Sequence, residues 1–193
     1  MQYRVKIKGN QPLLLHKYTV ATVSEVPTRK TFGLSYTDEW VKGTYVNEAG
    51  EVVIPAANIK ASIYDGSKGQ KKGKVALSRI VNSTLIISPF EPPIKCKIDG
   101  KLKEITLEDI KANDWIYVCG AVVTGRRVDR SRTQLPIGWE LEFEVMTKND
   151  DLTKEDIKAL LVSAGESAAI GDWRPSAPKK PGIFGTFNVV TFE

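Results

Sequence analysis

The densest group of positive charges in the sequence lies in a stretch of seven residues. A guanidinium carries a fixed charge and a planar fork of donors that matches phosphate oxygens. The stretch therefore predicts a basic loop that binds phosphates, and the alternative is a solvated hairpin tip. Its four arginines are Arg126, Arg127, Arg130 and Arg132.

A second candidate is the glycine-punctuated stretch from 169 to 185. Backbone N–H groups beside a glycine can approach a phosphate closely, because glycine has no Cβ. A tryptophan in this stretch offers a ring on which a base can stack. The alternative is a surface loop stiffened by prolines, with the tryptophan in the core. The nucleic-acid-binding residues predicted here are Gly171, Trp173, Arg174, Lys179 and Lys180.

Lysines supply the remaining cationic candidates. Lys60 falls in the first turn of a predicted helix that follows Pro55. A flexible basic loop comes after that helix and contains Lys68, Lys71 and Lys72. We predict that these lysines contact nucleic acid, and the alternative is that they only face solvent.

Composition limits the chemistry that this chain can perform. Its 193 residues carry a formal charge of +5, and the pI of about 9.1 is compatible with a polyanionic partner. Cys96 and Cys119 lack a metal-ligand spacing, and one histidine does not complete a zinc site with them. We therefore expect reduced thiols, no metal and no cofactor. The glycine-rich stretch lacks the lysine-serine ending of a P-loop, which argues against nucleotide hydrolysis.

The sequence offers no targeting or membrane signal. The residues after Met1 lack an apolar signal core, and no run of apolar residues approaches transmembrane length. We expect a cytoplasmic protein with no membrane partner.

Hydrophobic periodicity predicts the elements that must position these residues. Residues 2–8 and 138–147 alternate as half-buried strands, whereas a capping box at Thr153 and apolar spacing predict a helix ending at Gly165. With the helix after Pro55 and a final strand over 182–190, the order is βαββαβ. That order predicts one α+β domain, 1–193, with a ferredoxin-like or RRM-like core.

Two insertions are expected in this core, at about 10–54 and 66–113, so that 115–124 supplies the second strand of its sheet. The first and third strands are neighbours in such a sheet. Opposite charges across that pair favour the register, because Arg4, Lys6 and Lys8 then face Glu140, Glu142 and Glu144.

Three places resemble the RAMP proteins of CRISPR systems, especially the repeated backbone subunit that coats guide RNA. Residues 53–60 (Val-Ile-Pro-Ala-Ala-Asn-Ile-Lys) are similar to that family's isoleucine-proline-glycine-serine-serine-leucine-lysine sequence before the first helix. Lys60 matches its lysine, while alanines and an asparagine replace the glycine and serines. Residues 120–132 resemble a strand that leads into a basic loop. Residues 171–189 resemble the family's glycine-rich loop, in a form similar to that of divergent phage and prophage relatives.

The resemblance implies a non-enzymatic binder of single-stranded nucleic acid, with RNA as the first candidate ligand and DNA as the second. Such a protein associates with itself or with other subunits along the strand, in a bacterial or phage-infected cell. Two alternatives stay open. One is an endoribonuclease, since some relatives of this kind use a histidine or a loop aspartate, for which His16 and Asp38 are the candidates here. The other is a phage structural or interaction protein.

Overall fold

The computed structural model describes residues 1–17, 39–123 and 126–193, and it describes their side chains except at 121–123 and 126–128. The helices are α1 (Glu39–Lys42), α2 (Ala56–Gly66), α3 (Leu77–Thr84), α4 (Leu107–Ala112) and α5 (Lys154–Ser163), which a π-helical turn, Ala164–Ala168, continues. Within the described ranges, every helix is too short or too polar to cross a lipid bilayer. The strands are β1 (Gln2–Gly9), β2 (Leu13–Leu15), β3 (Lys71–Lys72), β4 (Val75–Ala76), β5 (Leu85–Ser88), β6 (Ile94–Ile98), β7 (Lys101–Glu104), β8 (Ile116–Val123), β9 (Arg126–Leu135), β10 (Glu140–Thr147) and β11 (Phe187–Phe192).

A six-stranded antiparallel sheet contains both ends of the chain. Its order is β11-β1-β10-β6-β7, and β5 pairs with β10 beside β6. The two short strands follow one another along the same edge of β10, because β5 pairs with its last residues and β6 with its first. The predicted combination of helices with antiparallel strands is confirmed.

The pairing of β1 with β10 carries the predicted charge complementarity. Arg4, Lys6 and Lys8 lie in register with Glu144, Glu142 and Glu140, as expected. Glu140 receives ion pairs from two lysines, with Nζ–O distances of 2.7 Å from Lys6 and 3.3 Å from Lys8. The intervening side chains are buried, among them Val5, Ile7, Leu141, Phe143 and Val145. Alternation therefore fixes which face of the sheet is charged.

Helices α2 and α5 contact each other, and α2 also contacts the π-helical turn. Ile59 and Ile63 of α2 are buried at a spacing of four residues, as predicted. The capping box of α5 is confirmed, because Asp156 N donates to Thr153 Oγ1 at 3.2 Å and Thr153 N donates to Asp156 Oδ2 at 2.9 Å. The predicted helix end at Gly165 is wrong, since the π-helical turn continues to Ala168.

A second sheet has the order β2-β9-β8. The expectation that 115–124 forms the second strand of the main sheet is therefore wrong. Strands β5, β6 and β7, which fall in the expected insertion at 66–113, lie in the main sheet instead. The reason lies in β5: its four residues bury Leu85 and Ile87 and pair with the last residues of β10, a long-range pairing that no local pattern shows.

The predicted loop of arginines is also wrong, because Arg126–Leu135 is strand β9, paired along β8. Its inward positions include Ser131 and Thr133, which are buried although they are polar. Ser131 Oγ accepts from Trp40 N at 3.1 Å, and Thr133 Oγ1 lies 2.6 Å from the hydroxyl of Thr44. Because these buried residues are polar, β9 does not show the apolar–polar alternation by which a strand is predicted from sequence.

We expect Glu140→Gln to lower the free energy of unfolding by about 1–3 kcal/mol at pH 7, because two lysines lose their buried carboxylate. Burial alone would raise the pKa of Glu140, but Lys6 and Lys8 together hold it below its ordinary value of 4.5. A lowered folded-state pKa stabilises the fold above pH 4.5, and this contribution is lost as the pH falls through that folded-state value.

The difference between wild type and Glu140→Gln, measured by urea unfolding, should therefore be full at pH 7 and shrink below pH 4.5. The control is Glu142→Gln, whose side chain is 46% exposed and should change stability by no more than about 0.5 kcal/mol. Equal effects of both substitutions would contradict this account of the sheet.

Candidate nucleic-acid interface

The glycine-rich stretch packs its backbone directly onto β2 and the residues before it. Asp172 N donates to Leu14 O at 2.8 Å, and Gly185 N donates to Pro12 O at 2.8 Å. Gly171 and Gly185 have φ values of +88° and +73°, and a Cβ at either would overlap a neighbouring carbonyl oxygen. The chain's own packing thus requires these glycines, and Gly171 in particular lies against the backbone of β2 instead of facing open space.

Three half-buried aromatic rings meet at this stretch, and we call them the aromatic cluster: Tyr117, Trp173 and Phe184. Tyr117 lies edge-on to Trp173 with ring centroids 5.8 Å apart, and its centroid is 5.9 Å from that of Phe184. The guanidinium of Arg132 lies over the Trp173 ring, 5.0 Å from its centroid. Because Trp173 is only partly buried, it is not the core residue of the alternative interpretation.

The segment between the two aromatic residues of this stretch, 174–183, forms a closed loop that we call the lysine loop. Gly182 N donates to Arg174 O at 3.2 Å and Phe184 N to Trp173 O at 3.3 Å, so its two ends meet beside the aromatic cluster. Lys179 and Lys180 are exposed and make no ion pair with the described part of the chain. The cluster and two available ammonium groups therefore belong to one structural unit.

Arginines that were predicted to bind phosphates are engaged inside the fold. Arg130 pairs with Glu39 at 2.5 Å, and Arg132 Nε donates to Asp172 at 2.6 Å. Their carboxylate partners come from α1 and from the glycine-rich stretch, so these pairs fasten β9 to two other segments. Arg126 and Arg127 open β9 opposite Val123 and Val122, and the prediction for their side chains lies outside the described residues.

Arg174 is held in the same way. Its Nε donates to Ser176 Oγ at 2.9 Å, its Nη1 to Gly171 O at 3.2 Å, and its Nη2 lies 3.6 Å from Asp65. Burial alone would raise the pKa of Asp65, but Lys68, Ser176 and Arg174 together lower it. Asp65 is therefore ionised at neutral pH and anchors both the lysine loop and Lys68.

The predicted lysines divide into engaged and available groups. Lys60 Nζ donates to Asn82 O at 2.9 Å, Lys68 pairs with Asp65 at 2.7 Å, and Lys72 pairs with Asp156 at 2.6 Å. Lys71 is exposed on β3, and its side chain has no hydrogen bond or ion pair within the described ranges. The first three lysines have structural partners, so phosphate contact would compete with those bonds.

His16 lines a cavity of about 170 Å³ between the end of β2, α2 and the glycine-rich stretch. Its Nδ1 is buried and has no hydrogen-bond partner among the described residues. Burial, and next the charge of Arg132, lower the pKa of His16, against opposing effects of Asp172 and Glu39. The imidazole is therefore neutral at pH 7. Asp38, the other candidate for catalysis, lies outside the described residues.

Several residues of this site were missed from sequence, among them Tyr117, Phe184 and Asp172. Tyr117 lies in an apolar strand, and its ring neighbours come from more than fifty positions further along the chain. No local pattern marks such a contact. Both cysteines, in contrast, are free thiols as expected.

No protein-family model matches the chain, and no curated protein matches it in sequence. The resemblance to RAMP proteins therefore stays a prediction that rests on three short stretches.

We expect Gly185→Ala to lower the free energy of unfolding by about 3 kcal/mol or more, because the new methyl group would overlap Ile170 O. Gly50→Ala is the matched control. Gly50 also has a positive φ, +83°, but a Cβ there meets nothing within 4 Å, so only the backbone cost of about 1 kcal/mol remains. Chemical denaturation of both variants measures the difference. Equal destabilisation would show that the packing of this loop contributes little.

Proposed function

We propose that this protein has a ferredoxin-like core and binds single-stranded nucleic acid on the aromatic cluster and the lysine loop. RNA is the first candidate ligand and DNA the second. Two features support the core assignment. The strand order β11-β1-β10-β5 is the fourth-first-third-second order of a βαββαβ unit, with α2 and α5 as its two helices. The second sheet and the β6–β7 hairpin are then additions to that core.

The main support for the binding proposal is that partly exposed aromatic rings and lysines without ion pairs in the described structure lie at the same loop. Proteins that hold single strands combine aromatic side chains, on which bases stack, with positive groups that follow the backbone. Tyr117, Trp173 and Phe184 supply rings, and Lys179 and Lys180 supply charge on the loop that starts and ends at two of those rings. Arg132 orders the central ring from one side without needing to leave Asp172.

The charged face of the main sheet is a poor alternative platform. RRM domains stack bases on aromatic residues of their open sheet face. Here that face carries Lys6, Glu140 and Glu142, which neutralise one another through ion pairs. A loop-based interface therefore agrees better with the charges than a sheet-based one.

The resemblance to RAMP proteins extends this proposal to assembly. A backbone subunit of that kind would associate with copies of itself or with other subunits along one strand, in the cytoplasm of a bacterial or phage-infected cell. The proposed function is binding without catalysis. His16 has no catalytic role in it, because Nδ1 of His16 bonds to no carboxylate in the described ranges.

Replacing Lys179 and Lys180 together by alanine should weaken binding of a single-stranded oligonucleotide and reduce its salt dependence. Each neutralised phosphate contributes ~0.7 to the slope of log K against log salt, so the slope should fall by about 1.4. The matched control is Lys97→Ala with Lys101→Ala, which removes the same charge from exposed positions of the β6–β7 hairpin. Fluorescence anisotropy between about 50 and 200 mM salt measures both pairs. Identical slopes for the two double variants would contradict the placement of the interface.

Trp173→Ala should weaken the same complex by about 5-fold to 150-fold, the equivalent of ~1–3 kcal/mol for one stacked base. Phe90→Ala is the control, because Phe90 is 75% exposed and belongs to no ring cluster in the described structure. Thermal unfolding of both variants separates lost stacking from lost fold. If a folded Trp173→Ala protein binds as tightly as wild type, the aromatic cluster is not the platform.

A further inference from the structure

The cavity beside His16 has a mixed lining that the proposed interface does not use. Leu15, Ile54 and Ile170 supply apolar walls. Polar groups reach it from three segments: His16 after β2, Tyr45 between α1 and α2, and Asn58 in α2. Such a combination of apolar walls with a few polar groups is the usual composition of a small-ligand site.

The two charged groups in the lining each have a partner that lies outside it. Asp172 accepts from Arg132, and Arg174 is bound by Gly171 O, Ser176 and Asp65. One aspartate and one arginine contribute opposite charges to the wall. The cavity therefore offers no net positive charge to a phosphate, in contrast to the lysine loop.

The neutral polar groups, in contrast, are available. The Asn58 amide and the Tyr45 hydroxyl have no hydrogen-bond partner in the described part of the chain, and His16 Nδ1 is buried without one. An amide presents both donors and an acceptor, and a neutral imidazole presents one of each. A buried polar atom without a partner destabilises the fold, so a ligand that bonds to His16 would remove an existing penalty.

Size restricts the ligand further. The cavity of about 170 Å³ is smaller than the ~300–1,000 Å³ typical of sites for drug-sized molecules. A cavity of about 150 Å³ in another protein holds one benzene ring. The space here therefore matches one planar ring with its substituents.

We propose that this cavity is a pocket for a single nucleobase of pyrimidine size, taken from the strand that lies on the aromatic cluster. The choice of ligand class rests on the proposed function. The chain itself links the two places, because Asp172 and Arg174 line the cavity while Trp173, between them, belongs to the cluster. A base turned away from its neighbours is read by hydrogen bonds to its edge, and Asn58, Tyr45 and His16 can provide those bonds.

Free nucleosides test the pocket independently of strand binding. Isothermal titration of the full chain with cytidine, uridine, adenosine and guanosine should detect binding of a pyrimidine nucleoside, and ribose 5-phosphate should not bind. Asn58→Ala should weaken nucleoside binding about 5-fold or more, through loss of hydrogen bonds to the base edge. Ala61→Phe should abolish it, because this exposed residue lines the cavity and a larger side chain fills the space.

The control for the added ring is Ala159→Phe, at an exposed alanine of α5 away from this cavity. It should bind nucleosides like wild type. The pocket is overturned if no nucleoside binds, if only purine nucleosides bind, if ribose 5-phosphate binds equally well, or if a folded Ala61→Phe protein binds unchanged.

A parallel titration with a single-stranded oligonucleotide separates this inference from the proposed function. Pyrimidine nucleosides that bind without any oligonucleotide binding would support the pocket and overturn the strand-binding interface. Oligonucleotide binding without any nucleoside binding would support the strand-binding interface and overturn the pocket.

Discussion

Close backbone contact between the glycine-rich stretch and β2 is the constraint on which the candidate site depends. Gly171 permits it, because a side chain there would overlap Leu14 O of β2. Gly185 permits the stretch to fold closely on itself, because a side chain there would overlap Ile170 O, and its N–H donates to Pro12 O just before β2. The stretch runs from the π-helical turn to β11, so it joins the helical layer, the second sheet and the main sheet. Trp173 and the wall of the cavity beside His16 take their positions from this contact.

In the candidate site, arginines and lysines have different electrostatic roles. Arg130, Arg132 and Arg174 are each bound by a carboxylate, and each has a side chain less than a third exposed. A guanidinium suits such partly buried positions, because it stays charged and satisfies several acceptors at once. Lys179 and Lys180 remain exposed on a loop. Within the described part of the candidate site, the positive charge that a phosphate can reach without breaking a bond of the fold is therefore on Lys179 and Lys180.

Sequence patterns predicted some of this structure well. Strict alternation in β1 and β10, with opposite charges on one side, was sufficient to predict their pairing and register. The capping box at Thr153 predicted the start of α5. Each of these signals lies within one short segment or in two segments with matching patterns, so it can be read from the sequence without knowledge of the tertiary structure.

Other parts were hidden because long-range contacts decide them. The buried positions of β9 include Ser131 and Thr133, whose polarity makes a strand resemble a loop. The short strand β5 pairs with β10 in the main sheet, whereas the longer β8 lies in the second sheet. The glycines that suggested a phosphate cradle are explained by packing, and the aromatic cluster appears only when β8 and the glycine-rich stretch meet.

The most direct test of the central claim is to map where a bound strand touches the protein. Single-stranded RNA that carries a photoreactive pyrimidine can be crosslinked to the full chain, and the modified residues identified by mass spectrometry. We expect crosslinks at Tyr117, Trp173 or Phe184 and within the lysine loop. Crosslinks confined to the charged face of the main sheet or to the β6–β7 hairpin would contradict that claim.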